Sequence, residues 1–440
     1  VCVASATGDK QLAIGCETSH WLTGDSSFNI RPGAGILDHT GNVGTAASVL
    51  TSTGSGVCWA AAAGGGGWSP TTGSDGTENL YAGTDTGAAS DTDTCYNVGI
   101  GYHVLKALNQ GDTNVAVGSQ AGCCLTSGNA NVLLGDTAGM NLTDGGYNIA
   151  LGYYALRIGT GPERNVAIGF AAGQAVTCHR NVFIGESAGK YATDVKLNVA
   201  IGCGALMGTN STANTGCYNV ALGDQAMTQM STGLCNIAIG KQAGKCNTTG
   251  NSNIYIGANA GCKNCTSNYN TIIGSGGAGA TLTGQSNTFV GYQVAAGAGD
   301  AGYNIGIGRQ AFEQLSTGGM NVAIGYQGMD NVTTGQKNTG IGQYAGNLLT
   351  TGCCNSFLGQ NAEPSNPDVN NEITLGASNI ERFRVPGVRI MANTYGVGIG
   401  TTNPNVAVGA ANTGVLAVGI VTAYQLYGDG SNLTNLPGGG

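Results

Sequence analysis

One short pattern of polar and aliphatic positions recurs along most of the chain, at a spacing of about 17 residues. Each copy reads Asn, any residue, any residue, aliphatic residue, Gly, and its second position is usually Val or Ile. The copies begin at Asn97, Asn114, Asn131, Asn148, Asn165, Asn181, Asn198, Asn219, Asn236, Asn253, Asn270, Asn287, Asn304, Asn321, Asn338 and Asn355. A further copy has Glu372 in the Asn position. A fixed period of this length is typical of solenoid proteins, in which each copy is one structural unit.

Each copy predicts one short β-strand. Alternate side chains of a strand point to the same side, so the aliphatic residues at the second and fourth positions share one face. We expect that face to point into the interior and to stack on its counterparts in neighbouring copies. The residues chosen as structural anchors of the repeat are Asn114, Ile168, Gly169, Asn236, Ile239, Gly240, Asn321, Ile324 and Gly325.

The remainder of each copy predicts two turns. A small residue, usually Ala, follows three residues after the Gly, and a Thr-Gly pair such as Thr334-Gly335 often precedes the next Asn. We expect the Gly of that pair to supply a positive φ. Together these features predict an all-β fold, a β-solenoid of the β-roll or β-helix type with 17-residue coils. Coils this small leave apolar surface for partner chains, so we expect an intertwined or side-by-side homotrimeric fibre, with a monomeric solenoid as the alternative.

The recurring Asn residues predict a ladder inside the solenoid. We expect each amide to hydrogen-bond either to the backbone of a turn or to the same residue one coil away. A row of ligands for a bound molecule is the less favoured interpretation.

The strict period divides the chain into three regions. We predict a Gly-rich connector or cap over residues 1–94, the repeat shaft over residues 95–377, and a shaft or connector segment over residues 378–440.

Composition excludes several functional classes. The chain has 79 Gly among 440 residues, with 9% charged and 6% aromatic residues, which is too few large side chains for ordinary globular cores. A net charge of −8 on so sparsely charged a chain offers no basic surface for nucleic acid or for anionic lipid. No run of apolar residues is long enough for a membrane helix. We therefore predict neither nucleic-acid nor membrane partners.

Candidate chemistry is sparse. Cys262 and Cys265 have the spacing of metal ligands, but a single pair without a second pair or a nearby His is a weak signal. The 15 cysteines are interpreted as small turn residues kept reduced in a cytoplasm, with inter-chain bridges as the alternative. The four histidines are far apart, and no catalytic triad, phosphate loop or carboxylate pair is present. We predict no cofactor and no enzymatic activity.

The repeated Asn-Val-Ala-Ile-Gly, as at Asn321–Gly325, resembles repeats of bacteriophage tail fibres, particularly cyanophage virion proteins. It is more distantly similar to the head of trimeric autotransporter adhesins. The phage resemblance implies a homotrimeric virion appendage, assembled in the host cytoplasm, that supports host attachment. Its implied partners are other virion or baseplate proteins and a host cell-surface glycan or protein. A bacterial adhesin stalk on the cell surface and a polysaccharide depolymerase tail spike remain as alternatives.

Overall fold

A computed structural model describes residues 78–91, 93–209 and 214–383 in full, and elsewhere only the backbone of short strands. The chain is all-β and divides into two compact units, Val1–Asn287 and Thr288–Gly440. In both units the repeat forms a β-solenoid, which confirms the predicted fold class. No helix in the described part of the chain is long and apolar enough to cross a lipid bilayer.

Each copy of the repeat contributes one three-residue strand. The strands of the first unit that belong to the solenoid are β7 (Leu80–Ala82), β8 (Val98–Ile100), β9 (Val115–Val117), β10 (Val132–Leu134), β11 (Ile149–Leu151), β12 (Val166–Ile168), β13 (Val182–Ile184), β14 (Val199–Ile201), β15 (Val220–Leu222), β16 (Ile237–Ile239), β17 (Ile254–Ile256) and β18 (Thr271–Ile273). Those of the second unit are β19 (Thr288–Val290), β20 (Ile305–Ile307), β21 (Val322–Ile324), β22 (Thr339–Ile341), β23 (Ser356–Leu358) and β24 (Ile373–Leu375).

The other strands lie outside the repeat. Before it come β1 (Ala13–Cys16), β2 (Ser19–Gly24), β3 (Ile30–Pro32), β4 (Ser48–Ser52), β5 (Val57–Ala61) and β6 (Ser69–Pro70). After it come β25 (Arg382–Val385), β26 (Ile390–Asn393), β27 (Gly396–Ile399) and β28 (Val415–Val418). The side chains of most of these strands, and most of the predicted cap and connector regions, lie outside the described residues.

Successive repeat strands pair in parallel and in register within each unit. Ile168 of β12 is paired with Ile184 of β13, which is paired in turn with Ile201 of β14. Identical positions of successive copies therefore form continuous rows along the solenoid, as predicted. We number coil positions from the Asn as position 1 and call the residue immediately before it position 0.

The strands face the opposite way from our prediction. In β8–β23 the middle residue, at position 3, is buried, whereas positions 2 and 4 are half-buried or exposed. The anchors Ile168, Ile239 and Ile324 thus lie on the outer surface, and the expectation that they fill the interior is wrong. The interior is narrow, and the aliphatic side chains beside each middle residue point away from it because neighbouring residues of a strand alternate in direction.

The core is filled instead by positions 3, 8, 9 and 12, whose sizes compensate for one another. Phe183 at position 3 is fully buried between Gly173 and Gly189, which occupy position 9 of successive coils. A Cβ at Gly173 would lie 3.0 Å from the Phe183 ring, and one at Gly189 would collide with it. Where position 3 is only Ala200, position 9 of the same coil is the buried Leu206. Large and small residues therefore alternate so that each layer is filled without overlap.

Glycine is required at two kinds of position, for different reasons. Gly169, at position 5, has φ +128°, and a Cβ there would lie 2.7 Å from the carbonyl group of Gly185 in the next coil. Gly335 of the Thr-Gly turn has no positive φ, contrary to our prediction, and a Cβ there would lie 2.6 Å from the Gly352 carbonyl oxygen. Close stacking of backbones, rather than dihedral angle, excludes a side chain from that turn.

The Asn ladder combines the two kinds of hydrogen bond that the sequence offered as alternatives. Asn131 donates from Nδ2 to Asn114 Oδ1 in the preceding coil (3.0 Å) and to the Gly145 carbonyl oxygen (2.9 Å). Its own Oδ1 accepts from the backbone N–H and from Nδ2 of Asn148, both at 3.0 Å. Asn131 has no exposed surface, so these bonds satisfy polar groups that water does not reach.

The ladder begins one copy earlier than the sequence indicates. β7 pairs in parallel with β8, and Asn79 Oδ1 accepts a hydrogen bond from the Asn97 backbone N–H (2.8 Å). The repeat therefore begins before residue 95. At the other end, the Glu372 N–H donates to Asn355 Oδ1 (2.8 Å), so Glu372 takes the Asn place in the backbone pattern.

Candidate functional site

The most distinctive surface of the described chain is an outer face made by positions 0, 2, 4 and 6, which we call the strand face. Its central rows, positions 2 and 4, are Val, Ile or Leu in most coils, with Thr or Ser at position 2 in four of them. Ile100, Ile201 and Ile341 at position 4 are 40–42% exposed. No charged residue occurs at position 2 or 4 of any copy. Extended uncharged aliphatic surface of this kind is a feature of protein–protein interaction sites.

Aromatic residues are prominent at both edges of the strand face. Position 0 includes Tyr96, Tyr147, Tyr218 and Tyr269, each more than half exposed. These residues have φ near +60°, a conformation in which few non-glycine residues are found. Because the backbone bends at this point, position 0 marks the edge at which the flat strand begins.

Position 6, just after the Gly corner, forms the opposite edge. The rings of Tyr153 and Phe170 are stacked there with their centroids 5.8 Å apart, and Tyr154 stacks against Tyr153 at 3.8 Å. Arg157 places its guanidinium 4.3 Å from the centre of the Tyr154 ring. Rings held by stacking and by a cation offer a rigid, partly apolar surface with polar tips, which is common at interfaces.

The predicted cysteine sites bring no metal centre together. Cys262 and Cys265 are free thiols, and the described residues contain no group of three potential metal ligands. Burial, followed by the neighbouring Cys246, raises the pKa of both thiols. Burial and a hydrogen bond to Asp194 raise the pKa of Cys178 to about 11. Thiols that stay protonated at neutral pH are poor nucleophiles and poor metal ligands.

Other titratable groups form small local clusters. Asp85 Oδ2 lies 3.1 Å from both His103 Nε2 and Lys106 Nζ. Lys106 makes the largest contribution to lowering the pKa of this exposed carboxyl. Burial, then the charge of Glu313, raises the pKa of Asp330 to about 6. Asp330 is only 8% exposed, so a polymeric substrate has little access to it. His20 and His39 lie outside the described residues.

The structural anchors chosen from sequence fall into three classes. Asn114, Asn236 and Asn321 belong to the buried ladder. Gly169, Gly240 and Gly325 form the corner where the next coil approaches most closely. The isoleucine anchors belong to the strand face, which sequence reasoning assigned to the interior. Position 4, where these isoleucines lie, is aliphatic in copy after copy, whereas the side chain at position 3 varies in size. This difference was the signal in the sequence that distinguishes the outer side of the strand from the inner side. No protein-family model, curated protein or solved structure significantly matches this chain.

Proposed function

We propose that this protein is a structural fibre protein whose chains associate through their strand faces, as a homotrimer. The supporting observation is the row of aliphatic side chains that every repeat copy places on the outer surface. A chain that acts alone gains nothing from such a row, whereas a second copy has the same coil spacing and meets it residue for residue. The coils thus supply rigidity, and the strand face supplies assembly.

The free energy available along this face is large when it is summed over many coils. Ile100 is 42% exposed, and full burial of an Ile side chain is worth about 1.5–3 kcal/mol, so covering the remainder contributes roughly 0.6–1.3 kcal/mol. One such residue is too little to offset the entropy lost on association. The first unit alone repeats the position across eleven strands, β8–β18, so a long interface becomes favourable.

The mass of the native particle tests the self-association. Light scattering on the full chain should give three times the 43.8 kDa chain mass. A substitution of Ile168 by Asp should weaken assembly, because it places a charge in the uncharged interface. Replacing Lys190 by Glu, at position 10 of a neighbouring coil and away from the strand face, is the matched control. A monomeric wild-type chain at all concentrations would remove the basis of this proposal.

We propose further that the fibre belongs to a phage virion, as a tail fibre or appendage shaft that projects or supports the host-attachment apparatus. The proposal is supported by the resemblance of the Asn-Val-Ala-Ile-Gly copies and by a repeat architecture that suits a rigid spacer. Quantitative mass spectrometry of purified particles of the phage should find the chain in multiples of three, and antibodies should label slender appendages. A chain located instead in a bacterial outer envelope would favour the adhesin stalk. Degradation of host capsule by the purified chain would favour the depolymerase.

A further inference from the structure

The two edges of the strand face carry different charges. Position 0 and position 6 lie on either side of the aliphatic rows, and both are exposed in the coil that begins at Asn181. There Arg180 occupies one edge and Glu186 the other. In the described part of the chain, neither side chain has an ion pair or a hydrogen bond with another side chain. Each is therefore available to a partner molecule.

From the Asn97 copy onward, the charged residues at position 0 are all cations. Arg164, Arg180 and Lys337 occupy it, and only the first coil, which begins at Asn79, has an acid there, Glu78. At position 6 the charged residues of the first unit are mainly acids, Asp136, Glu186 and Asp224, with Lys241 as the exception. Only one coil is charged at both edges, and its two charges are opposite, Arg180 with Glu186. When one edge of a chain meets the other edge of a neighbouring chain at the same coil, no like charges come together in the first unit.

The aromatic edge residues also face favourable partners across the two edges. The coil of Asn97 has Tyr96 at one edge and Tyr102 at the other, and both rings are at least half exposed. The coil of Asn165 has Arg164 at one edge and Phe170 at the other. Ring against ring and guanidinium against ring are both favourable contacts.

Symmetry explains how two edges of one face can meet. When identical parallel chains turn the same face toward a common rotation axis, position 0 of one chain lies beside position 6 of its neighbour. A closed ring has no translation along its axis, so the residues that meet belong to the same coil. Antiparallel pairing would instead bring position 0 against position 0, where every charged residue from the Asn97 copy onward is a cation.

We propose that the chains assemble parallel and unstaggered around a common axis, with Arg180 of one copy paired with Glu186 of the next. This inference rests on the proposed self-association, and it adds the direction and the axial register of the partner. Each interface then contributes one inter-chain ion pair at this coil. Assembly in any other register leaves Arg180 opposite a different coil.

Charge reversal tests the pairing. In the full chain, R180E and E186R should each raise the concentration at which the assembly half-dissociates by roughly tenfold to a hundredfold, measured by sedimentation equilibrium. The double variant R180E/E186R restores opposite charges and should return to within about threefold of wild type. In about 1 M NaCl the differences should shrink, since the screening length falls to about 3 Å. Where dilution does not dissociate the assembly, the same series is compared in increasing urea.

Two further variants separate this inference from its alternatives. R180E/D224R instead reverses the charge of the acid at position 6 two copies further along, and it should not restore assembly. K190E, in the same coil but away from the strand face, should leave the half-dissociation concentration unchanged. Rescue by D224R but not by E186R would overturn the unstaggered register while the proposed self-association stands. Single variants that assemble like wild type would also overturn it, and a wild-type monomer would overturn both proposals.

Discussion

Replacing Asn131 by Ala removes one step of the buried ladder, and its cost follows from the bonds that are lost. The Asn148 backbone N–H and the Gly145 carbonyl oxygen each lose their Asn131 partner. Neither group gains access to water, because Asn131 and its ladder neighbours are fully buried. A buried polar group without a partner costs about 1–3 kcal/mol, so N131A should destabilise its coil by about 2–6 kcal/mol.

Local hydrogen exchange is the appropriate assay, because long repeat arrays do not always unfold in one step. Mass spectrometry of peptides that span residues 145–150 should show faster exchange in N131A than in wild type, together with a lower melting temperature. N129A is the matched control. Asn129 is exposed, and its Oδ1 accepts one bond from the Asp112 N–H (2.7 Å), so the loss should stay near 1 kcal/mol or below. Equal protection of the Asn148 amide in N131A and wild type would refute the reasoning.

Three further substitutions test core packing and buried polar groups. F183A leaves the space between Gly173 and Gly189 unfilled and should lower the free energy of unfolding by about 3–5 kcal/mol in urea titrations; a loss below about 1 kcal/mol would contradict the packing described here. Y255F removes a fully buried hydroxyl that has no hydrogen-bond partner among the described residues, so the melting temperature should stay the same or rise, and a clear fall would contradict this expectation. For Asp330, burial and Glu313 raise the carboxyl pKa from 3.8 to about 6, so the folded chain favours the protonated form. The resulting destabilisation is complete above about pH 6 and is relieved as the pH falls toward about 4. D330N should therefore raise the melting temperature at about pH 7.5 but not at about pH 4, and parallel pH profiles for both proteins would count against it.

The period of the sequence was sufficient to predict the repeat and its ladder. An Asn that returns at a constant interval beside a short strand has one arrangement that satisfies its amide, which is stacking on its own counterparts. Asn131 illustrates this, since its side chain donates to Asn114 in the preceding coil and accepts from Asn148 in the next, while a further bond reaches the Gly145 carbonyl in the turn of its own coil. The in-register stacking of Ile168 on Ile184 follows from the same constant interval.

The direction of the strand was not predictable from alternation alone. Alternation shows that Val182 and Ile184 share a side and that Phe183 lies on the other, but either side can be the interior. Hydrophobicity favoured the aliphatic pair, which is correct only for a chain that buries its apolar surface without partners. The volume of the side chain at position 3 was the better signal of which side is the interior. Phe183 replaces the usual Ala at position 3, and two glycines at position 9 accommodate it, so these positions must touch inside the coil.

The remaining differences arose from positions that break the pattern. Ala82 stands where other copies have Val, Ile or Leu, so the coil that begins at Asn79 did not match the aliphatic rule. The turn glycines were assigned a positive φ because turns often need one. Their carbonyl contacts with the next coil became visible only when the stacking distance between backbones was known.

The most direct test of the outward strand face is a cryo-electron microscopy structure of the full-length assembly at side-chain resolution. Phe183 should lie inside its own coil, while Ile168, Ile184 and Ile201 form a row that neighbouring copies cover. Isoleucines that point into their own coil, or a row left open to solvent in the assembled particle, would contradict the account.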